Sequence, residues 1–146
     1  MRRPLSSILC ALAIHAQCFP AMPVLFVVVN PDSGVSQLSR EEVRNIFLGR
    51  QKSLVPGVAA LPVEQQDPEV RSSFYRVLVK KDLAEINAYW ARLMFTGQAR
   101  PPQKAESAEA VVRMVASERG AVGLMRGGKD DRRVKVVLIL GDEERP

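Results

Sequence analysis

Residues 61–95 read LPVEQQDPEVRSSFYRVLVKKDLAEINAYWARLMF, and the reading of this stretch decides the fold. Leu61-Pro62-Val63 has the character of a strand end, and Glu64-Gln65-Gln66 that of a polar loop. Asp67-Pro68-Glu69 is a helix start. Asp accepts from free backbone amides as an N-cap, Pro presets φ at the first helical position, and Glu suits the positive end of the helix dipole. Val70, Phe74, Val77 and Leu78 then recur at helical spacing as one apolar face. A second helix opens at Asp82, with Glu85 three residues on as an Asp form of the capping box, and Leu83, Ile86, Trp90 and Leu93 as its buried face.

Before this stretch, residues 24–29 form a continuous apolar run, rich in β-branched residues and stopped by Asn30-Pro31-Asp32-Ser33-Gly34. It reads as a strand buried on both faces, as in a parallel sheet covered by helices. Ser39 and Glu42 make a capping box, Leu38 and Val43 a hydrophobic staple, and Val43, Ile46 and Phe47 the inner face of a first helix that Gly49 ends. Residues 50–56 read as a polar connector and residues 58–63 as a second strand. After the two central helices, residues 98–104, with Pro101-Pro102, read as an extended crossing segment. Ser107 caps a fourth helix bearing Val111, Met114 and Val115. Residues 121–125 and 134–140 are two last strands, expected to form an antiparallel hairpin across a Gly-rich turn.

The order β-α-β-α-α-α-β-β argues for an α/β layered domain with a mostly parallel sheet flanked by helices. In such sheets ligands gather beyond the carboxyl ends of the strands. Those ends lead into loops 30–37, 64–71 and 126–131. The residues there with ligand chemistry are Asn30, Ser33, Gln65, Asp67 and Arg71, and each also has a structural reading. Asn30 and Ser33 suit the turn that Asn-Pro-Asp-Ser-Gly makes by itself. Gln65 is a plain loop residue on that reading. Asp67 is a cap, and Arg71 is its partner four residues on. Tyr89 and Trp90 fit core packing better than a stacking platform. Asp130-Asp131 reads as a solvated turn rather than a metal site.

The 146 residues suffice for one domain with one core, and 47% hydrophobic with 25% charged residues is a globular composition. Residues 1–21 pair a basic start, Arg2-Arg3, with a broken apolar run, the layout of a secretory signal peptide and too short to span a bilayer. Residues 22–146 are then the mature domain, expected in the periplasm. Cys10, Cys18 and His15 all fall in the leader, and the chain has no other Cys or His. A mature domain without them excludes thiol nucleophiles, Ser–His–Asp triads and Cys/His zinc sites. No cofactor is expected, and the protein is expected not to be an enzyme. The mature balance of 19 basic against 16 acidic residues is mild, and the basic residues are scattered. Nucleic acid is therefore not an expected partner.

Several motifs occur in a telling order: Leu38-Ser39-Arg40-Glu41-Glu42-Val43-Arg44-Asn45-Ile46-Phe47-Leu48-Gly49-Arg50, Leu61-Pro62-Val63, Arg71 with Phe74, Ala88-Tyr89-Trp90, Phe95-Thr96-Gly97, Pro101-Pro102 and Gly120-Ala121-Val122-Gly123-Leu124. Together they resemble the substrate-binding proteins of phosphate ABC transporters, in the periplasmic-binding-protein superfamily, and most of all their single-lobe members. The resemblance implies one α/β lobe of a protein type that, in larger relatives, holds a phosphate-like oxyanion between two lobes. It implies a membrane transporter or sensor as partner. The sequence departs from the pattern at the central helix, where Pro68-Glu69-Val70 stands in place of Ser-Gly-Thr and only Arg71 fits. Asp67 would occupy the amides an anion needs and Glu69 would repel it, with Arg126 or Lys129 offsetting part of that charge. Two roles follow: weak binding of phosphate or another small oxyanion, or a non-catalytic module that docks on a membrane protein or forms a homodimer.

Overall fold

A computed structural model describes residues 22–127 and 130–141. Residues 1–21, Gly128, Lys129 and residues 142–146 lie outside the described residues, and with them the expected leader, Lys129 and most of the charged tail. Strand β1 (Leu25–Val29) leads through a 3-10 turn (Pro31–Ser33) to helix α1 (Arg40–Phe47). A small hairpin, β2 (Ser53–Val55) with β3 (Val58–Ala59), precedes β4 (Leu61–Gln65). Helices α2 (Pro68–Val79) and α3 (Leu83–Phe95), strand β5 (Gln103–Ala105), helix α4 (Ala108–Ser117) and strands β6 (Ala121–Arg126) and β7 (Lys135–Leu140) follow.

The main sheet has the order β5-β4-β6-β1-β7. β4 runs parallel to β5 and β6, while β1 is antiparallel to both β6 and β7. Four strands thus point one way and β1 alone opposes them, giving the α/β lobe with a mostly parallel sheet. β1 is buried on both faces as its composition demands, yet it opposes both neighbours. It also separates β6 from β7, so the expected final hairpin does not form. A buried apolar strand can pair on both edges, and β1 takes the place between them. At the bulge where β1 pairs with β7, the Val137 carbonyl accepts from Leu38 N at 3.2 Å, so the break in the ladder ties β7 to the approach of α1.

Alternation along the strands divides the core into two layers. Leu25, Val27, Val29, Val122 and Leu124 pack with α1, α2 and α3. Phe26, Val28, Val63, Ala121 and Met125 pack with α4. The caps are those the sequence announced: the Ser39–Glu42 and Asp82–Glu85 boxes are reciprocal, and the Asp67 and Ser107 side chains accept from the first-turn amides of α2 and α4.

Two strands differ from the sequence reading. Residues 50–56 are not a plain connector, because β2 lies in them, and residues 58–63 are not one strand but β3 and the start of β4. Pro56-Gly57, with Gly57 at φ +79°, makes the tight turn between β2 and β3. The crossing segment also ends in an edge strand, β5, which pairs in register with β4.

Gly123 sets how closely α4 approaches the sheet. A Cβ there would lie 2.6 Å from Val111, 2.8 Å from Val115 and 3.0 Å from Val28. Gly123→Ala is expected to cost about 1–3 kcal/mol by overpacking. Urea unfolding followed by circular dichroism checks this; an unchanged midpoint would mean that α4 is free to shift outward.

Candidate functional site

Val63 faces α4, so the next residue of β4, Glu64, must face the α1–α3 layer. Its side chain is buried, with the residue only 1% exposed. A carboxylate in that position needs partners, and α2 supplies two from adjacent turns. Arg71 Nε donates to Glu64 Oε1 at 2.6 Å, and the Tyr75 hydroxyl donates to Oε2 at 2.9 Å. Burial first, then the adjacent Glu64 charge, pushes the Tyr75 phenol well above its usual range. Arg71 therefore pairs across seven residues with Glu64 and not with Asp67, the partner its sequence spacing offers.

Beyond this cluster lie the carboxyl ends of β4 and β6. Gln65 Oε1 accepts from Arg126 N at 3.0 Å and closes the two strand ends together. Asp67 Oδ1 accepts from Glu69 N at 2.8 Å and Val70 N at 3.2 Å, so the cap takes two of the amides that open α2. Arg126 pairs with Glu69 at 2.7 Å, both side chains largely in solvent. Gln65, Asp67, Arg71 and Arg126 are thus brought together, each with a partner from within the chain.

Asn30 and Ser33 do not join this group as expected: β1 is antiparallel to β6, with Val29 beside Val122 and Leu25 beside Arg126, so the loop after β1 leaves the sheet at the opposite end. Asn30 Nδ2 donates to the Val115 and Ala116 carbonyls at 3.0 Å each, and its Oδ1 accepts from Asp32 N at 2.8 Å. Asn30 thereby pins the end of β1 to the last turn of α4. Ser33 is fully buried, with Oγ accepting from Val35 N at 3.2 Å. Tyr89 and Trp90 join the two central helices to α1: the Tyr89 hydroxyl donates to the Leu48 carbonyl at 2.6 Å, and a Cβ on Gly49 would lie 3.2 Å from the Trp90 ring. Asp131 is engaged by Arg133, which holds its carboxyl down to about 2. Among the described residues no group of His, Cys, Asp and Glu is placed to hold a metal ion.

Sequence reasoning missed Glu64 and Tyr75. The signal was an acid one step beyond the apolar Val63 in a strand, with Arg71 and Tyr75 four residues apart on the helix that follows. Read separately, each looks ordinary, and only their meeting marks a buried site.

With this geometry in place, comparison with solved structures is informative. An ABC-type phosphate transport receptor of Vibrio cholerae superposes with a TM-score of 0.60 at 19% identity, over 80% of this chain and 47% of its own. A phosphate ABC transporter substrate-binding protein of Clostridium perfringens, solved with bound phosphate, gives a TM-score of 0.61 at 14% identity, over 81% and 46%. A phosphate-binding protein candidate of Planctomyces limnophilus gives a TM-score of 0.55 at 16% identity, over 80% and 42%. The fold is that of phosphate-transport substrate-binding proteins, at the size of one lobe. The chain spans less than half the length of each of these structures. The proteins it resembles are binding proteins, not enzymes. No protein-family model and no curated protein matches the sequence. Among the described residues no helix is long and apolar enough to cross a membrane.

Removing one partner of the Glu64 pair exposes its energetics. Arg71→Ala leaves a buried carboxylate without its cation and is expected to cost about 3–5 kcal/mol, whereas the double change Glu64→Leu with Arg71→Met should recover most of that loss. Denaturant unfolding of the three proteins at neutral pH measures this; equal destabilisation of single and double variants would show that the pair does not act as a unit.

Proposed function

We propose that this is an exported, non-catalytic protein of the solute-binding type, taking phosphate or another small oxyanion weakly and acting with an ABC-type transporter or a membrane sensor. The observation that carries this reading is the lobe itself, whose solved neighbours include a receptor for phosphate transport and a phosphate-bound binding protein. On this reading residues 1–21 are the leader, residues 22–146 the mature periplasmic domain, and the oxyanion meets the chain beside Gln65, Asp67 and Arg71. Asn30 and Ser33 stand at the opposite end of the sheet from these residues, and their polar atoms hold the β1–α4 junction.

The weakness has a physical cause. An anion at the N-terminus of α2 competes with the Asp67 carboxylate for the Glu69 and Val70 amides, and meets the Glu69 charge as well. The same feature favours a second reading, in which the lobe keeps the fold but docks on a transporter, a sensor or a second copy of itself. There the self-satisfied helix end needs no small ligand.

Isothermal titration separates the two. The native protein should bind phosphate with a Kd of about 1 mM or weaker. Asp67→Ala with Glu69→Gln frees two amides and removes two negative charges, and should tighten binding about tenfold. Silence from both proteins at about 10 mM phosphate would remove the oxyanion reading and leave the docking module.

A further inference from the structure

Arg71 also borders an open cavity of about 610 Å³ between β4, α3 and the Pro101–Lys104 segment. Its volume falls within the range of small-molecule sites. Trp90, Met94, Phe95, Pro101 and Pro102 make it mainly apolar. Phe95 is 93% exposed, which is a costly position for an aromatic ring with no role outside the fold. Trp90 Nε1 is buried and lies beside the Tyr75 hydroxyl, so the ring adjoins the Glu64 cluster.

The cavity is also electrostatically uneven. Glu64, Arg71 and Lys104 all line it, and Glu64 and Lys104 are register partners on neighbouring strands. Two cations thus stand against one carboxylate. The Glu64 carboxylate is already engaged at both oxygens, by Arg71 Nε and the Tyr75 hydroxyl. The two Nη nitrogens of Arg71 make no hydrogen bond among the described residues, and Lys104 makes neither hydrogen bond nor ion pair there.

We propose that this cavity binds a small amphipathic monocarboxylate, its carboxylate between Arg71 and Lys104 and its aromatic or branched aliphatic body between Trp90 and Phe95. One negative charge matches the surplus positive charge. The apolar body covers Phe95 and the two prolines and removes their apolar surface from water. A hydrated phosphate gains nothing from those walls. A second copy seated here about a two-fold axis would set its own Lys104 against the Arg71 and Lys104 cations. The site shares Arg71 with the α2 N-terminus but does not rest on oxyanion binding there.

Trp90 is the only tryptophan in the chain, so its fluorescence reads this cavity directly. Phenylacetate and isocaproate are the probes, with phenylacetamide and inorganic phosphate as controls. Both carboxylates should change the Trp90 emission saturably, with a Kd of about 0.1–1 mM. Lys104→Gln, at an exposed position, should weaken them about three- to fivefold and leave circular dichroism unchanged. Phe95→Ser should weaken them about fivefold. The proposal is overturned by an absent or linear response up to about 10 mM, by phenylacetamide binding as tightly as phenylacetate, or by a Lys104→Gln protein that binds unchanged. A phosphate signal of equal size overturns it too, as does a dimer in light scattering that Phe95→Ser dissolves. The Asp67→Ala, Glu69→Gln protein should respond to phenylacetate like the native one, so failure here and failure of the oxyanion reading are told apart.

Discussion

The Glu64 carboxylate is the constraint around which the lobe is arranged. A charge taken out of water is tolerable only when both oxygens are met and the opposite charge is near. β4 fixes where that carboxylate stands, because Val63 before it belongs to the α4 side. α2 must then roll so that Arg71 and Tyr75 face the sheet, one turn apart. That roll also brings Val70, Phe74 and Leu78 into the core and lets Phe74 meet Phe47 of α1 edge to face, with ring centroids 4.9 Å apart. The polar cluster does not compete with hydrophobic packing. It selects which helix face does the packing, and hence where the helix begins.

Where α2 begins determines the electrostatics of the sheet top. The dipole of a 12-residue helix offers positive potential and free amides at its first turn. In this chain both are spent internally, the amides on Asp67 and the nearby Arg126 guanidinium on Glu69. The loop that would greet an anion is thus charge-balanced before any ligand arrives. Surplus positive charge lies instead at the cavity that Arg71 also borders, where Lys104 stands beside Glu64 with no partner among the described residues. One arginine borders both regions, and the distribution of acids around it separates a polar, self-satisfied face from an apolar, cationic one.

The sequence made local structure plain wherever a short-range rule sufficed. Capping boxes at Ser39 and Asp82, the Asp67-Pro68 start and the helical faces of Val43, Phe74 and Trp90 are each fixed by residues within two turns of one another. Pairing partners were harder. The run before Asn30 announces a buried strand but not its direction, since burial on both faces is equally compatible with antiparallel neighbours. β5 has three residues and no apolar alternation to betray it, and it exists because β4 offers an open edge. Glu64 looked like a loop acid because strand patterns are scored on apolar residues, and the meaning of an acid in a strand depends on what a later helix carries. Of the candidate residues, Asp67 was legible as a cap from its neighbours alone. Arg71 was legible as an important cation, while its partner was not.

The same logic accounts for two motif segments of the resemblance that lie on different helices. Ile46-Phe47-Leu48-Gly49 ends α1, and Tyr89-Trp90 lies midway along α3. The Tyr89 hydroxyl satisfies the carbonyl of Leu48, one of the acceptors a helix end leaves open. Gly49, at φ +70°, turns the chain away and leaves room for the Trp90 ring. One helix end is thus built from both segments, with no ligand needed to explain them. Trp90 is held by this junction on one side and borders the cavity on the other. A ring fixed that firmly gives the cavity a rigid wall, and a rigid wall lets a weak charge pair such as Arg71 with Lys104 discriminate between guests: the apolar body of a ligand has only one place to go, and its carboxylate must then reach the two cations or forgo them.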